Sequence, residues 1–125
     1  MTGWTSEELG TIEAADELRI ASLRRDGTLR IPVTIWVARL GDDLYVRSVN
    51  GRGSGWFRGT QVRHVGKIQA GDVEKDVTFV DADESIADQI DDAYRTKYRR
   101  YAASIVGHTV TPEARAATLK LVPRS

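Results

Sequence analysis

One stretch without acidic residues carries the side chains of this chain that are best suited to bind a ligand. Between Asp43 and Asp72 there is no aspartate or glutamate. The same stretch holds one histidine and five basic residues, Arg47, Arg52, Arg58, Arg63 and Lys67. The chain as a whole is balanced, with 18 basic and 18 acidic residues. This stretch is therefore the one strongly polarised region, and it favours an anionic ligand.

The loop sequence Ser-Val-Asn-Gly-Arg-Gly-Ser-Gly, residues 48–55, lies inside the acid-free stretch. We expect a strand to end near Ser48 and the glycine-rich loop to turn its backbone amides outward. Ser54 is placed to cap a helix that begins at Gly55. Because a helix amino end offers free amides to an anion, the loop predicts an anion site.

Two arginines flank and enter this loop, and they strengthen the prediction. Arg47 and Arg52 would donate charge-assisted hydrogen bonds to phosphate or carboxylate oxygens. The spacing matches neither a Walker loop nor the dinucleotide fingerprint, so neither of those functions is predicted. The alternative interpretation is a solvated Gly-Ser turn with incidental arginines.

A tryptophan outside the loop has two interpretations. Trp36 shares a predicted strand face with Arg30 and Thr34, opposite an aliphatic face. It could pack under a helix or across a dimer interface, as large amphipathic aromatic side chains often do. In the functional interpretation Trp36 forms a wall for a flat ring.

Other catalytic chemistries lack support in the sequence. The absence of cysteine excludes disulfides, thiolate nucleophiles and zinc–thiolate sites. His64 and His108 are isolated, so no metal site is predicted. Ser, His and Asp occur without a nucleophile elbow or another local signature. Asp91 and Asp92 point in different directions on a helix, which favours solvated side chains over a catalytic pair.

The elements that must position the loop follow from capping and periodicity. Thr5 and Glu8 have capping-box spacing, and Trp4 and Leu9 have staple spacing, so a helix is expected at 6–15. Strands are expected at 17–24, 29–40, 44–48, 67–70 and 73–80 and around Leu119 and Leu121. A longer helix is expected at 84–101, with a short helix after Thr111-Pro112. Tyr94, Tyr98 and Tyr101 are expected to pack at the edge of the core.

The whole chain is expected to form one α+β domain, residues 1–125. About six strands joined by hairpins, with three or four helices, fit a small antiparallel sheet or barrel flanked by helices. Balanced charge argues against nucleic-acid and membrane-surface binding. No signal peptide and no membrane-spanning apolar run are recognised, so the cytoplasm is the expected location.

Several segments resemble the family known as domain of unknown function 2255. They include Glu17-Leu-Arg-Ile-Ala-Ser, Val33-Thr-Ile-Trp-Val, Asp43-Leu-Tyr-Val-Arg-Ser, Gly55-Trp-Phe-Arg-Gly-Thr and Pro112-Glu-Ala-Arg-Ala-Ala-Thr-Leu. The resemblance covers nearly the whole chain and implies no established activity.

More distantly, the order of elements is similar to that of the flavin-binding split barrels. These are the pyridoxamine-phosphate oxidase-like proteins and the deazaflavin-dependent nitroreductases. The resemblance implies a six-stranded split β-barrel, a homodimer, and flavin mononucleotide or a deazaflavin as cofactor for hydride transfer. The cofactor-binding residues that it and the loop together predict are Trp36, Arg47, Ser48, Asn50, Gly51, Arg52, Ser54, Gly55 and Trp56.

Two alternatives to a redox protein stay open. The first is a non-redox binding module that uses the same basic loop for a phosphorylated or anionic small molecule. The second is a scaffold whose pocket has closed and which acts through protein partners. A cofactor enzyme needs no catalytic dyad of its own, because the cofactor carries the chemistry.

Overall fold

Seven antiparallel strands form a single curled sheet, and helices flank it. The computed structural model describes residues 3–124. The strands are β1 (Leu18–Ser22), β2 (Val33–Ile35), β3 (Val37–Leu40), β4 (Asp43–Arg47), β5 (Val65–Ala70), β6 (Val73–Asp81) and β7 (Thr118–Pro123). The α-helices are α1 (Ser6–Ala14), α2 (Gly55–Val62), α3 (Ala87–Lys97), α4 (Ala103–Gly107) and α5 (Pro112–Ala116). None of the helices in this described range is long and apolar enough to cross a membrane.

The sheet is a nearly closed barrel whose two ends meet in one chain segment. The strand order is β2-β1-β5-β6-β7-β4-β3. β2 and β3 are the two end strands, yet only Trp36 separates them in the sequence. A bend at Trp36 therefore lets one segment pair with β1 on one side and with β4 on the other. The α+β barrel expected from the sequence is confirmed.

The expected strand count of six is wrong by one. The long strand expected at 29–40 is divided by Trp36, and residues 29–32 precede the ladder. Leu29 forms an isolated bridge with Leu23, and Pro32, which lacks an amide for a ladder hydrogen bond, separates that bridge from the start of β2. Leu29 and Ile31, expected on the buried aliphatic face, are consequently 41% and 81% exposed.

The first helix begins as its sequence predicts. The Thr5 hydroxyl accepts a hydrogen bond from the Glu8 amide, and the Glu8 carboxylate accepts one from the Thr5 amide. Trp4 and Leu9 are both buried in the main core. The Trp4 indole also donates a hydrogen bond of 3.0 Å to the carbonyl of Leu121 in β7. These contacts fix α1 against the barrel.

The third helix covers a second core, which lies beside the main one. Residues 84–101 were expected as one helix, but a 3-10 turn at Glu84–Ile86 leads into α3, which ends at Lys97. The predicted apolar face is correct, because Ile90, Tyr94 and Tyr98 are buried together. The Tyr98 hydroxyl donates to the carbonyl of Asp16 and accepts from the amide of Val37. α3 is thereby tied to the start of β3.

We expect two glycine substitutions to have opposite effects on stability. A Cβ at Gly66 in β5 would lie 2.1 Å from the carbonyl oxygen of Ala21 and 2.9 Å from the Phe79 ring. Gly66→Ala should therefore lower the free energy of unfolding by about 1–3 kcal/mol or more. At Gly10 in α1, no atom lies within 4 Å of such a Cβ. Gly10→Ala should therefore raise the free energy of unfolding by up to about 1 kcal/mol.

Denaturant unfolding of both variants measures these effects. A Gly66→Ala variant as stable as the unmodified chain would show that β1 and β5 do not approach as closely as described.

Candidate functional site

The strand that leads into the loop ends in a buried ion pair. The Arg47 side chain is fully buried, and its Nη1 donates to the carboxylate of Asp91 in α3. The same nitrogen donates a hydrogen bond of 2.9 Å to the carbonyl of Thr109, and Nη2 donates one of 3.1 Å to the carbonyl of Ala87. Nε donates 2.9 Å to the hydroxyl of Thr118 in β7. Every guanidinium nitrogen of Arg47 therefore has a partner within the protein.

This network corrects two expectations from the sequence. Arg47, in a stretch without acidic residues, was expected to donate to a ligand, but its donors are used by Asp91 and three other residues. Asp91 was expected to be solvated, but it is 6% exposed. Burial of the pair explains both differences, because a charged group inside a protein must be paired and hydrogen-bonded.

The loop that follows is held in a fixed turn. Ser48 is buried, and its hydroxyl lies 2.7 Å from that of Ser54. Gly51 has a φ of 80°, and its amide donates 3.0 Å to the carbonyl of Ser48. Asn50 is exposed at the tip. The loop is therefore closed across its base by two serine hydroxyls.

The helix after the loop starts where the sequence predicts it, but its serine does not cap it. α2 begins at Gly55, and Ser54 is the N-cap residue by position. Its side chain makes no capping hydrogen bond, because its hydroxyl bonds to Ser48 instead. The first-turn amides of α2 are thus left without the expected serine partner.

Arg52 also has partners within the protein. Its Nη1 donates 3.0 Å to the carbonyl of Ala116, and Nη2 lies 3.8 Å from the Asp81 carboxylate. The guanidinium lies 5.0 Å from the centroid of the Phe57 ring. About half of the Arg52 side chain is exposed, so this ion pair is weak. A ligand could compete for Arg52 but not for Arg47.

Three of the predicted residues, Trp36, Arg47 and Trp56, line one cavity, which we call the aromatic cavity. Its volume is about 270 Å³, and β4, α2, α3 and α4 surround it. Its lining includes the aromatic and apolar side chains of Trp36, Trp56, Tyr94, Val49, Ile105 and His108. Arg47 and Thr109 form part of the same wall. Trp36 and Trp56, which are 20 positions apart in the sequence, therefore face a common space.

The tryptophan wall is held in place before any ligand binds. The Trp36 and Tyr98 rings are stacked, with centroids 3.8 Å apart and planes within 5° of each other. Tyr101 contacts the same indole at 5.0 Å. Trp36 therefore packs against the end of α3, as one interpretation from the sequence expects, and it also lines the cavity. A wall that is already ordered costs little entropy on binding.

One residue that lines the aromatic cavity carries a buried hydroxyl without a hydrogen-bond partner. Tyr94 is 1% exposed, and its hydroxyl has no hydrogen-bond partner among the described residues. Burial raises the pKa of Tyr94, so the hydroxyl stays protonated and can donate. An unpaired buried hydroxyl costs about 1–3 kcal/mol, which a ligand acceptor could recover. Tyr94 was expected only to pack at the core edge.

Tyr94 and His108 are two polar cavity residues that sequence reasoning missed. His108 lies after α4, a helix that was not expected, and it was judged isolated because no second histidine is near it in sequence. The three-to-four spacing on α3 predicted that Tyr94 points into the core. The spacing could not predict that the Tyr94 hydroxyl has no hydrogen-bond partner.

A larger groove elsewhere is a weaker candidate. It has a volume of about 650 Å³ and lies between α1, β3 and α3. Arg39 pairs with Glu13 at 3.2 Å, and Arg100 pairs with Asp16. Lys97 donates 3.0 Å to the carbonyl of Val37, and burial lowers its pKa to about 8. The charged groups of this groove are thus largely used in joining α1, β3 and α3.

Comparison with known proteins identifies the family and the fold. The family described as "Uncharacterized protein conserved in bacteria (DUF2255)" matches residues 8–121, so the chain belongs to that family. The resemblance expected from the sequence is confirmed. No match was found among curated proteins.

Several solved structures share the fold at low sequence identity. The heme storage protein HutZ from Vibrio cholerae has a TM-score of 0.69 and 12% identity, with 96% of this chain and 90% of that one covered. A FAD-binding protein from Mesorhizobium loti has a TM-score of 0.56 and 17% identity, with 98% and 91% covered. A protein named F420 reductase has a TM-score of 0.54 and 16% identity, with 92% and 90% covered. The fold is that of the split barrels.

We expect the buried ion pair to stabilise the fold far more than the exposed one. Arg47→Met removes the buried partner of the Asp91 carboxylate, which keeps only the half-exposed Arg115 at 3.8 Å, and it should lower the free energy of unfolding by about 3–5 kcal/mol. Arg52→Met, the matched control, removes a half-exposed pair and should cost no more than about 1 kcal/mol.

Urea unfolding of both variants and of Asp91→Asn provides the measurement. An Arg47→Met variant that is no less stable than Arg52→Met would contradict the assignment of Arg47 to the core.

Proposed function

We propose that this member of the DUF2255 family binds a flavin-type cofactor, a flavin or a deazaflavin, and serves hydride transfer. The single observation that carries the proposal is the aromatic cavity with its unpaired Tyr94 hydroxyl. Ligand sites of this kind are mostly apolar and have a few convergent polar groups. Trp36 and Trp56 supply flat apolar surfaces, and Tyr94 supplies one buried donor.

The size of the cavity bears on which part of the cofactor it would hold. Small-molecule sites usually measure about 300–1,000 Å³. At about 270 Å³ the aromatic cavity lies just below that range. It suits a ring system rather than an entire nucleotide, so the sugar-like chain and phosphate would extend beyond it. Val49 and Trp56 connect the cavity to the loop and to the start of α2.

The solved structures support this proposal through what their names state. One neighbour is named as FAD-binding, and another as an F420 reductase. Another is named as a heme storage protein. Because a fold hosts many functions, these names support the ligand class only together with the cavity of this chain.

The residues of this chain would bind and orient the cofactor, which supplies hydride-transfer chemistry when bound. The stacked pair of Trp36 and Tyr98 would fix the plane of one wall. Tyr94, held neutral by burial, would donate a hydrogen bond to a ring acceptor. Ile105 and Val49 are about half exposed at present, and a bound ring would cover them.

We also propose that a second copy of the chain completes the assembly. The sequence placed Trp36 at such an interface, but the stack on Tyr98 gives Trp36 an internal partner. Two exposed apolar side chains, Leu29 and Ile31, lie instead next to the end strand β2, and Ile31 is 81% exposed. Exposed apolar surface at a sheet end favours an interface between copies.

Light scattering should return a dimer mass at micromolar concentration. Ile31→Glu should shift that mass toward the monomer, because it places a charge on the proposed interface. Val62→Glu, the control, places the same charge at an exposed valine on α2 and should not shift the mass. A monomer mass for the unmodified chain would refute this assembly.

Two tyrosine variants separate binding from stability. Tyr94→Phe removes only the unpaired hydroxyl, so it should weaken binding of flavin mononucleotide by about threefold to tenfold and leave stability unchanged or higher. Tyr98→Phe, the matched control, breaks hydrogen bonds to Asp16 and Val37 and should lower stability while keeping the ring that supports Trp36.

A fluorescence titration with flavin mononucleotide and a thermal melt of each variant are the measurements. Equal affinity of Tyr94→Phe and the unmodified chain would remove Tyr94 from the site. A titration in which no flavin or deazaflavin binds would contradict the proposed function itself.

A further inference from the structure

A second cavity adjoins the aromatic cavity and has cations but no carboxylate in its lining. It has a volume of about 320 Å³ and lies between β1, the segment before β2 and the first half of α2. We call it the arginine cavity, after Arg30 and Arg58, which line it together with Ser22 and Trp56. Its only charged lining residues in the described part of the chain are these two arginines.

Arg30 is held partly buried without a counter-ion. A Cβ at Gly59 would lie 2.9 Å from the Arg30 Nε and 2.6 Å from the Ser22 Oγ, so α2 rests directly on both side chains. The Arg30 Nε is buried and has no hydrogen-bond partner within residues 3–124. Desolvating a cation without pairing it is costly. The cost is offset if an anion occupies the cavity.

Arg58 supplies the second charge from the opposite side. It is exposed on α2 and belongs to the acid-free stretch between Asp43 and Asp72. Neither Arg30 nor Arg58 forms an ion pair with any described carboxylate, whereas Arg47 and Arg52 both do. The cations available to a ligand are therefore not the two that the loop sequence suggested.

We infer that the arginine cavity is an oxyanion site that receives a phosphate group. A guanidinium presents a planar fork of donors that matches two phosphate oxygens, and two such groups balance a charge of about −2. The hydroxyl of Ser22 and the start of α2 at Gly55 border the same space and add neutral donors.

The position of the arginine cavity relates it to the proposed cofactor. Trp56 lines both cavities, and β2 passes from one to the other, with Val33 in the arginine cavity and Thr34 in the aromatic cavity. One ligand with a ring and a phosphate could therefore occupy both. The assignment of this phosphate to the cofactor rests on the proposed function. A separate phosphorylated ligand would need only the arginine cavity.

Calorimetric titration with inorganic phosphate tests the oxyanion site without any cofactor. We expect the unmodified chain to bind phosphate and Arg30→Gln and Arg58→Gln each to weaken binding by about tenfold to a hundredfold. Arg25→Gln, an exposed arginine in the turn before Arg30, is the control for loss of one charge and should change little. Thermal melts verify folding, and Arg58, being exposed, can be replaced without disturbing the core.

Parallel titrations with flavin mononucleotide and riboflavin identify the source of the phosphate. If the cofactor supplies it, the mononucleotide binds at least tenfold more tightly than riboflavin, and this preference disappears in Arg58→Gln. If phosphate binds but no flavin does, the oxyanion site is supported and its ligand is a separate phosphorylated molecule. That result refutes only the proposed function. If phosphate does not bind, or if Arg30→Gln and Arg58→Gln behave like Arg25→Gln, the oxyanion site is refuted.

Discussion

The buried pair of Arg47 and Asp91 is the interaction on which the site depends. Arg47 ends β4, and its guanidinium joins that strand to α3, to the segment after α4 and to β7. Of these elements, β4, α3 and the segment after α4 border the aromatic cavity, and Arg47 itself forms part of the wall. A buried guanidinium in which every nitrogen is hydrogen-bonded allows few alternative arrangements, because any shift leaves a donor or a carboxylate unpaired. The position of Tyr94, one helical turn after Asp91, follows from the same constraint.

The arginines of the chain consequently divide into two groups. Arg47 has four hydrogen bonds within the protein and Arg52 has a carbonyl and a carboxylate, so these two hold the loop and its surroundings. Arg30 and Arg58 have no carboxylate partner in the described chain and border a cavity. The polarised stretch thus has a structural part, which fixes the walls, and an exposed part, which is available to an anion. Trp56 lies between the two cavities and connects them.

Local signals in the sequence predicted most of the fold, whereas long-range pairing decided the site. The capping box at Thr5 and Glu8 and the hairpin turn at Gly71 involve residues within a few positions of one another, so sequence spacing reveals them. The partner of Arg47 lies 44 positions away, and an acid-free neighbourhood in sequence says nothing about it. For the same reason the break of the long strand at Trp36 was missed, because its cause is a stack on Tyr98 across the fold. Trp36 was singled out because it lies on the polar face of a predicted strand, which is unusual for a tryptophan.

The three tryptophans permit a direct test of the central claim, that a flavin ring binds in the aromatic cavity. Trp36 and Trp56 line that cavity, while the Trp4 indole donates to the carbonyl of Leu121 in the core and acts as an internal control. The measurement is a two-dimensional NMR titration that follows the three indole N–H signals as flavin mononucleotide is added. We predict that the Trp36 and Trp56 signals shift with one shared binding curve while the Trp4 signal stays in place. Cavity signals that do not move, or three signals that move equally, would contradict the account.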